Sequence, residues 1–345
     1  MSGGVDSAMS CALAIGAGFD AMGVTMMLSG NSCCSEREIE DAAAICRLLG
    51  ISHSVLRLEA EFERHVISQF VNAYINGLTP NPCIECNRHL KFGSIVKYAD
   101  EVGADTVVTG HYARTDRDAD GRVRLLRASD RRKDQSYVLW RLGRDVLERV
   151  YFPLGGYTKD EVRLMAAERG FVNAHKKDSQ DICFIPDGDY VRFIEEHCGR
   201  TFPAGDFIGL DGEVLGRHAG IIRYTPGQRK GLGVAFGRPM YVSQKDAQNN
   251  TVTLCEDAEL YTTGTVAHSI NLISVDSIEN PMRVQAKIRY NHQPCPATVI
   301  QTDEDEITVH FDEPQRACAD GQSVVLYDGD VVVGGGVIGE SAPEC

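Results

Sequence analysis

The sequence has 345 residues, of which 43% are hydrophobic, and is long enough for two or three domains that each bury a core. Its 35 Lys and Arg residues against 49 Asp and Glu residues give a net charge of −14, which disfavours a protein that coats DNA or an acidic membrane. No run approaches the roughly 18 apolar residues of a membrane-spanning helix, and Met1 precedes small residues rather than a charged and then apolar leader. We therefore expect a cytoplasmic protein without a membrane partner, whose 12 cysteines are mostly buried thiols.

The first half of the chain alternates helical patterns with short apolar runs, which is typical of a parallel sheet with crossover helices. The predicted elements, in chain order, are helix 8–17, strand 20–28, helix 36–49, strand 53–58, helices 60–77 and 88–103, and strand 105–110. We expect an α/β domain over residues 1–195.

From about residue 196 the pattern changes to short alternating runs separated by turn residues. The predicted strands are 240–243, 251–255, 283–290, 297–300, 306–311 and the run 323–334, which contains the turn dipeptide Asp328-Gly329. These runs predict two small all-β domains, a central one at 196–258 and a C-terminal barrel at 259–345.

Residues 2–7, SGGVDS, open directly into the first predicted helix. Two adjacent glycines let the backbone approach a ligand, the hydroxyls of Ser2 and Ser7 can donate to phosphate oxygens, and the helix N-terminus attracts anions. The segment therefore predicts a phosphate site, although a Ser/Gly turn that merely caps the helix is the simpler alternative. Its spacing excludes both the kinase-like phosphate loop and the dinucleotide fingerprint.

A C-x-x-C pair, Cys83 and Cys86, lies at the start of the helix that carries Arg88 and Lys91. A thiolate there gains from the helix dipole and from nearby cations. Half of a zinc site, or two buried thiols, are the plainer alternatives. The adjacent pair Cys33-Cys34 is a poor second half for a zinc site.

Cys183 is a third informative cysteine. Polar residues precede it in the sequence: Asp178, Ser179 and Asp181. Apolar residues flank it directly and are expected to form an apolar wall beside it: Ile182, Phe184 and Ile185. Considered alone, Cys183 is more typical of a core cysteine than of a catalyst.

These segments together resemble a known family. The hexapeptide at 2–7 is similar to the SGGxDS signature of PP-loop ATP pyrophosphatases. The wider set resembles the tRNA-specific 2-thiouridylase family along the whole chain: 33–42, 79–93, 109–114, 133–139, 152–163, 178–185, 224–233 and 321–338. The resemblance implies a PP-loop domain, adenine nucleotide alpha hydrolase-like, followed by the two all-β domains. In that superfamily a strand precedes the loop, so we expect the first strand to be missing from this chain, and either an upstream natural start or weak ATP binding.

The resemblance implies a sulfurtransferase that adenylates O2 of the wobble uridine of tRNA and then delivers sulfur to C2 with loss of AMP. It assigns ATP and Mg²⁺ to the loop residues Ser2, Gly3, Gly4, Val5, Asp6 and Ser7, with Met26 and Gly110 against the adenosine. It makes Cys86 the nucleophile and Cys183 the persulfide carrier, which end the cycle as a disulfide. The sulfur comes from a cysteine desulfurase, a relay protein or sulfide.

By the same resemblance, Asn81, Pro82 and Cys83 contact the target base. Many family members have Asp where this chain has Cys83, and that Asp is proposed to transfer a proton, a role that a thiol at this position does not reproduce. The replacement also creates three cysteines, Cys83, Cys86 and Cys183, that would hold three corners of a [4Fe–4S] cluster with the fourth iron open to sulfide. Sulfide bound to this cluster is then the alternative to the persulfide as the sulfur source.

The resemblance places further residues at the tRNA: His111, Lys133, Asp134, Gln135, Arg289, Tyr290 and Gln322. The C-terminal barrel is thereby expected to contact tRNA. Residues 114–135 contain eight Lys or Arg and five Asp, a local excess of three positive charges on an acidic protein. A solvated hairpin is the plainer explanation of that run.

Two rival functions use the same residues differently. A small-molecule PP-loop ligase, similar to GMP synthetase or argininosuccinate synthetase, would use the loop and ATP without needing the cysteines or the barrel. A non-catalytic RNA-binding protein would keep the fold without ATP binding. AMP release with and without tRNA distinguishes these alternatives.

Overall fold

The computed structural model describes residues 1–28, 36–174 and 182–339. Packing divides the chain into two units. The first contains Met1–Val66, Cys83–Gly188 and Asp330–Val332, and the second contains Ile67–Pro82, Asp189–Gly329 and the residues from Val333 onward. The short segment Ile67–Pro82 therefore packs with residues that follow it by more than a hundred positions.

The helices belong mostly to the first half of the chain. The α-helices are α1 Val5–Gly16, α2 Glu36–Leu49, α3 Glu59–Phe62, α4 Ser68–Ile75, α5 Pro82–Glu85, α6 Ile95–Val102, α7 Arg144–Leu147, α8 Lys159–Glu168 and α9 Tyr190–Cys198. Two π-helical segments, Glu63–Ile67 and Cys86–Ser94, interrupt the predicted helices 60–77 and 88–103. Both ranges are helical as predicted, and each contains a π-helical stretch that the sequence pattern did not indicate.

The strands dominate the second half. They are β1 Gly23–Met27, β2 His53–Arg57, β3 Val107–Val108, β4 Ala113–Arg117, β5 Val123–Arg127, β6 Val150–Tyr151, β7 Gly205–Ile208, β8 Val214–His218, β9 Tyr241–Asp246, β10 Thr251–Cys255, β11 Tyr261–Leu272, β12 Met282–Lys287, β13 Cys295–Asp303, β14 Glu306–Arg316, β15 Ser323–Asp328 and β16 Val331–Ile338.

The first unit contains parallel strand pairs with helices packed beside them. β1 pairs with β2 and β3 pairs with β6, both parallel, whereas β4 and β5 form an antiparallel hairpin. The apolar face of α1, with Ala8 and Met9, packs in one core with Val162 and Ala166 of α8. This packing fixes the N-terminus of α1, which is where the predicted phosphate loop lies.

The second unit contains two antiparallel-rich sheets. The strand order of the smaller sheet is β8-β7-β10-β9. The larger follows β11-β14-β13-β12-β15-β16, and β11 also pairs with β16, so these six strands close into a barrel. Alternate residues of the strands, such as Val299, Ile307 and Val309, are fully buried and fill the barrel. The α/β domain followed by two all-β domains is therefore confirmed.

Candidate functional site

The predicted phosphate loop folds tightly against the start of α1. Gly4 is the extended residue before the helix, and Gly3 has φ +68°, a conformation that favours glycine. A Cβ on Gly3 would also lie 2.8 Å from the carbonyl oxygen of Glu38. Ser7 Oγ donates to the Gly4 carbonyl (3.0 Å) and accepts from the backbone N–H of Ser2 (3.1 Å). The loop thus curls around the amides of the first helical turn, which suits an anion.

Asp6 of this loop is held by two residues that the sequence did not single out. Lys159 Nζ lies 2.7 Å from both carboxylate oxygens of Asp6, and the Tyr112 hydroxyl donates to Asp6 Oδ1 at 2.8 Å. The Lys159 ammonium also lies 5.8 Å from the centre of the Tyr112 ring. Lys159 is only 4% exposed, so this is a nearly buried ion pair. Its motif at 152–163 was recognised in the sequence, but nothing in that motif indicated its partner.

Two backbone contacts complete the support of the loop. The buried side chain of Asn173 donates to the Gly3 carbonyl at 3.1 Å. Gly110 approaches so closely that a Cβ on it would lie 2.9 Å from the backbone of Asp6 and Ser7. The structure therefore brings Gly110 to the predicted phosphate loop. Met26 is half-buried in β1, and the adenosine contacts of Gly110 and Met26 stay predictions.

The C-x-x-C pair lies where α5 passes into the second π-helical segment. Cys86 is buried at 7% exposure, whereas Cys83 keeps solvent access although protein surrounds it on most sides. Burial raises the pKa of the Cys83 thiol, the Lys91 ammonium opposes that rise, and nearby Cys183 adds to it. Cys83 and Cys183 therefore lie within electrostatic range of each other.

A charged cluster surrounds the start of this segment. Glu85 pairs with Arg141 and lies 3.3 Å from His89 Nε2. The rings of His89 and His65 stack with their centres 4.5 Å apart. Burial lowers the pKa of His89, and the Glu85 carboxylate partly restores it.

The apolar wall predicted beside Cys183 is confirmed for Phe184 and Ile185, which are 4% and 2% exposed. Phe184 packs edge-on against Phe62, with ring centres 5.6 Å apart. Asp178, Ser179 and Asp181 lie outside the described residues, as do Cys33 and Cys34.

The three cysteines proposed for an iron–sulfur cluster do not fit one in this geometry. In the described part of the chain, no group of three or more His, Cys, Asp and Glu side chains is placed to hold a metal ion. A cluster needs its ligands to converge on one point. The described structure therefore gives these three cysteines no common metal site.

Several residues expected at the tRNA are buried in the first unit. His111 is 8% exposed, and its Nδ1 lies 2.9 Å from Thr109 Oγ1. Burial, with the nearby Lys91, lowers the pKa of His111 well below its ordinary value, so its ring is neutral. Asp134 accepts the backbone N–H of Ala128 at 3.0 Å, and Gln135 Oε1 accepts that of Tyr112 at 2.9 Å. These side chains hold backbone in place, and their tRNA contacts stay predictions.

Carboxylates engage most arginines of the basic segment 114–135, which includes the hairpin of β4 and β5. The ion pairs are Arg114–Asp330, Arg117–Glu148, Arg124–Asp116, Arg127–Asp134, Arg131–Asp330 and Arg132–Asp130. Because Asp330 and Glu148 lie outside the segment, its excess of positive charge is smaller in the fold than in the sequence.

The predicted tRNA residues of the second unit also make structural contacts. Arg289 donates to the carbonyls of Pro226 and Ala317. Gln322 Nε2 donates to the carbonyl of Thr79 at 2.7 Å, two residues before Asn81. Tyr290 is 36% exposed, and the Lys287 ammonium lies 5.5 Å from its ring centre. Tyr290 thus presents a partly exposed aromatic face.

Three family models match successive parts of this chain. They are the tRNA methyl transferase HUP domain at residues 1–187, the tRNA methyl transferase PRC-barrel domain at 191–256 and the Aminomethyltransferase beta-barrel domain at 262–338. Curated proteins named tRNA-specific 2-thiouridylase MnmA are similar over nearly the full length. The one from Clostridioides difficile (strain 630) is 45% identical and covers 99% of this chain and 97% of that protein. The one from Acetivibrio thermocellus is 44% identical, with coverages of 98% and 97%.

The chain belongs to the tRNA-specific 2-thiouridylase MnmA family. The family predicted from the sequence motifs is thereby confirmed. A solved NMN synthetase from Francisella tularensis is similar at 16% sequence identity with a TM-score of 0.32, and the match covers 58% of this chain and 75% of that one. Within the described residues of this family member, no helix is long and apolar enough to cross a membrane.

Proposed function

We propose that this protein replaces O2 of the wobble uridine of tRNA with sulfur, in a reaction that converts ATP to AMP and pyrophosphate. The observation that carries the proposal is the similarity to tRNA-specific 2-thiouridylases over 99% of the chain. The phosphate loop would supply the ATP chemistry of this reaction, and Cys86 and Cys183 would supply its sulfur chemistry. Acting on tRNA with reduced thiols, the protein would work in the cytoplasm.

The first proposed step is adenylation of the uridine. O2 attacks the α-phosphorus of ATP, an O–P bond forms, and pyrophosphate leaves. The loop residues Ser2–Ser7 would hold the phosphates through backbone amides and hydroxyls. Mg²⁺ bound with ATP would neutralise phosphate charge, and Asp6 is the loop carboxylate that would face it. Lys159 contacts both oxygens of Asp6, so the carboxylate would face Mg²⁺ only if it exchanged part of this ion pair for the metal.

The second proposed step transfers sulfur from a persulfide on Cys183. The terminal sulfur attacks C2, a C–S bond forms, and AMP leaves with the former O2. The Cys86 thiolate then attacks Cys183 Sγ, which breaks the persulfide S–S bond and leaves a Cys86–Cys183 disulfide. The transferred sulfur leaves at the oxidation level of sulfide, because Cys86 and Cys183 give up two electrons when they form the disulfide. A cysteine desulfurase or relay protein would supply the persulfide, and an external thiol would reduce the disulfide.

The placement of Cys86 supports this sequence. Cys83 lies within electrostatic range of Cys183. Cys86 follows Cys83 by three residues, where α5 passes into the π-helical segment, and it is buried whereas Cys83 is exposed. Burial of Cys86 shields it from unrelated oxidants.

A tracer experiment tests adenylation directly. A tRNA anticodon stem–loop made with heavy oxygen at O2 of the wobble uridine is incubated with protein, ATP and a persulfide donor. The proposal predicts that the heavy oxygen appears in AMP and not in pyrophosphate, and that omitting tRNA suppresses AMP release. Unlabelled AMP, or AMP release without RNA, would contradict it and favour a small-molecule ligase.

Methyl transfer is the second candidate, because two of the matching family models are described as tRNA methyl transferase domains. That reaction would add a methyl group and use no ATP cleavage. Mass spectrometry of the product nucleoside distinguishes exchange of oxygen for sulfur from addition of a methyl group. The nearby thiols Cys83 and Cys183 favour sulfur transfer.

A further inference from the structure

The turn at residues 319–322, between β14 and β15, holds a distant part of the second unit by its backbone. The Thr79 N–H donates to the Asp320 carbonyl at 2.8 Å, and Gln322 Nε2 donates to the Thr79 carbonyl at 2.7 Å. Both backbone polar groups of Thr79 are therefore bound by the same turn. The Thr79 hydroxyl, in contrast, has no hydrogen-bond partner within the described residues. The turn thus fixes the backbone of Thr79 and not its side chain.

The turn is itself anchored to the end of β16. The Gly321 N–H donates to the Ile338 carbonyl at 2.9 Å, and the Ile338 N–H donates to the Gln322 carbonyl at 2.7 Å. Gly321 has φ +86°. A Cβ on Gly321 would lie 2.9 Å both from the Cβ of Leu78 and from the amide nitrogen of Thr79. Glycine is therefore needed here for its conformation and for the close approach of the two backbones.

Lys245 of β9 holds the residue before Thr79. Its ammonium donates to the Leu78 carbonyl at 3.2 Å and lies 5.4 Å from the ring centre of Tyr74. The Leu78 N–H donates to the Ala73 carbonyl of α4 at 2.8 Å. All four backbone polar groups of Leu78 and Thr79 are therefore hydrogen-bonded. We call the partners from β9 and from the turn the clamp: Lys245, Asp320, Gly321 and Gln322.

Two prolines limit the freedom of the chain directly after the clamp. Residues 79–82 are Thr-Pro-Asn-Pro, and each proline fixes its own φ and restricts the residue before it. The helix α5 then begins at Pro82. The position of the Asn81 backbone is therefore determined largely by the place where Thr79 is held.

We infer that the clamp is a positioning device for Asn81 and Pro82, the residues that the family resemblance places at the target base. Gln322 then acts on the reaction by holding the Thr79 carbonyl, and not by contacting tRNA itself. The inference rests on the proposed function for its choice of uridine as the base that Asn81 and Pro82 meet.

Positioning and direct binding have different kinetic consequences. In the proposed adenylation, O2 of the uridine has to meet the α-phosphorus in a defined orientation, and a displacement of roughly 1 Å can cost on the order of 100-fold in rate. A loosened Asn81 should therefore slow the reaction even when tRNA is saturating. Loss of a direct contact with tRNA would instead weaken tRNA binding.

The first test compares two alanine variants of glycines in the second unit. Gly321 and Gly329 both have positive φ, +86° and +56°, so both variants have strained backbones. A Cβ on Gly329 meets nothing within 4 Å, whereas a Cβ on Gly321 meets the clamped segment. At saturating tRNA and ATP, we expect tRNA-dependent AMP formation to be roughly 10-fold slower in Gly321→Ala, with tRNA affinity within about 2-fold of wild type. Gly329→Ala should match wild type in both measurements.

A second variant removes one hydrogen bond without adding volume or charge. Gln322→Met keeps the length of the side chain and loses the donor to the Thr79 carbonyl, and it serves if Gly321→Ala does not fold. We expect it to slow AMP formation and to keep tRNA affinity, as Gly321→Ala does. Gln285→Met, at an exposed position of β12, is the matched control and should behave like wild type.

Amide hydrogen exchange tests the clamp without any activity. The Thr79 N–H should exchange at least about 10-fold faster in Gly321→Ala than in Gly329→Ala, because its bond to the Asp320 carbonyl is disturbed. Equal exchange in these two variants would overturn the inference even if the wild type proved inactive on tRNA, a result that would count against the proposed function.

The kinetic outcomes separate the two roles of Gln322. Slower AMP formation with retained tRNA affinity in Gly321→Ala and Gln322→Met, but not in their controls, supports positioning. Weaker tRNA binding by Gln322→Met with an unchanged rate at saturation would make Gln322 a direct tRNA contact and would overturn the inference. Rates equal to those of the control variants would also overturn it and would leave the proposed function standing.

Discussion

At the scale of single residues, the Asp6–Lys159 pair has the clearest consequence for ATP. A carboxylate in a phosphate loop would repel ATP if nothing neutralised it. Lys159 contacts both oxygens of Asp6 and is itself nearly buried. We interpret it as a positioning residue that fixes Asp6 and removes its charge from the path of the phosphates.

Replacing Lys159 by Met should therefore affect both stability and ATP binding. Loss of one partner leaves Asp6 without its cation, and because Asp6 is about one-third exposed we expect a loss of about 2 kcal/mol in the free energy of unfolding. ATP affinity should fall by roughly 10-fold. Urea denaturation and nucleotide titration measure the two effects. Lys97→Met, which removes an exposed cation of α6, is the matched control, and equal behaviour of both variants would contradict the role.

Cys83 distinguishes persulfide chemistry from cluster chemistry. In the persulfide route only Cys86 and Cys183 react, so Cys83→Ser should keep wobble thiolation within about 3-fold of wild type, whereas Cys86→Ser and Cys183→Ser should abolish it. Cys198→Ser controls for loss of an unrelated thiol. Iron and sulfide analysis of anaerobically purified protein accompanies the assay. Loss of bound iron together with activity in Cys83→Ser would restore the cluster hypothesis.

Lys245 should make the free energy of unfolding depend on pH. Its ammonium donates to the Leu78 carbonyl at 3.2 Å and lies 5.4 Å from the Tyr74 ring centre. Burial lowers the pKa of Lys245 to about 8, although Asp320 opposes that shift. Below about pH 8 Lys245 is charged in both the folded and the unfolded protein, so burial of its charge lowers the free energy of unfolding by the full amount. As the pH rises from about 8 towards about 10.5, the folded protein loses this proton while the unfolded protein keeps it, so the free energy of unfolding increases.

The free energy of unfolding of wild type relative to Lys245→Met should therefore rise by up to about 2 kcal/mol between roughly pH 7 and pH 10. Denaturation of both proteins across this range measures the difference, and other alkaline titrations cancel in it. A difference that is flat or falls with pH would show that Lys245 is not desolvated in the folded protein.

At the scale of elements, the start of α8 determines where Lys159 lies. Thr158 caps this helix and forms a capping box, in which its hydroxyl accepts the Glu161 N–H and the Glu161 carboxylate accepts the Thr158 N–H. The Glu161 carboxylate accepts from the Thr158 N–H at 2.7 Å and from the Thr158 hydroxyl at 2.8 Å, and these two bonds lower its pKa. The cap fixes the first turn of α8, and Lys159 is its first residue.

Removing the cap of α8 should weaken ATP binding at the phosphate loop. Thr158→Ala should lower the free energy of unfolding by about 1 kcal/mol and weaken ATP binding a few-fold, because the first turn of α8 loosens. Thr158→Ser keeps the hydroxyl and should behave like wild type in both measurements. If Thr158→Ser matched Thr158→Ala instead, the hydroxyl cap would not be the cause.

The elements that the sequence predicted best have strong local signals. Helix 36–49 and strand 251–255 match α2 and β10 residue for residue, because amphipathic period and strand alternation are read within one segment. α1 begins at Val5, three residues before its prediction, since the loop residues have little helical character of their own. The run 323–334 is two strands, β15 and β16, separated at the turn Asp328-Gly329 that its composition indicated.

At the scale of the whole molecule, the site depends on contacts that sequence order conceals. The SGGVDS loop was recognisable because it is continuous, whereas Lys159 and Asn173 reach it from 153 and 170 residues away. The burial of individual polar side chains also could not be predicted from the sequence. His111 and Asp134 have the polar side chains expected of RNA contacts, but only tertiary packing decides that they face the protein interior.

The net charge of the whole chain does not show how charges are paired locally in the fold. Most arginines of the basic segment pair with carboxylates within the first unit, so the local excess of positive charge in the sequence is smaller in the fold.

Thiolation of the wobble uridine with ATP and the two cysteines, Cys86 and Cys183, is tested most directly by one measurement. Unmodified tRNA is incubated with pure protein, ATP and a persulfide donor, and its nucleosides are analysed by mass spectrometry. We predict 2-thiouridine at the wobble position only, dependent on ATP and abolished by Cys86→Ser. A wild type that releases AMP but leaves that uridine unthiolated, or a Cys86→Ser variant that thiolates it as well as wild type, would contradict the claim.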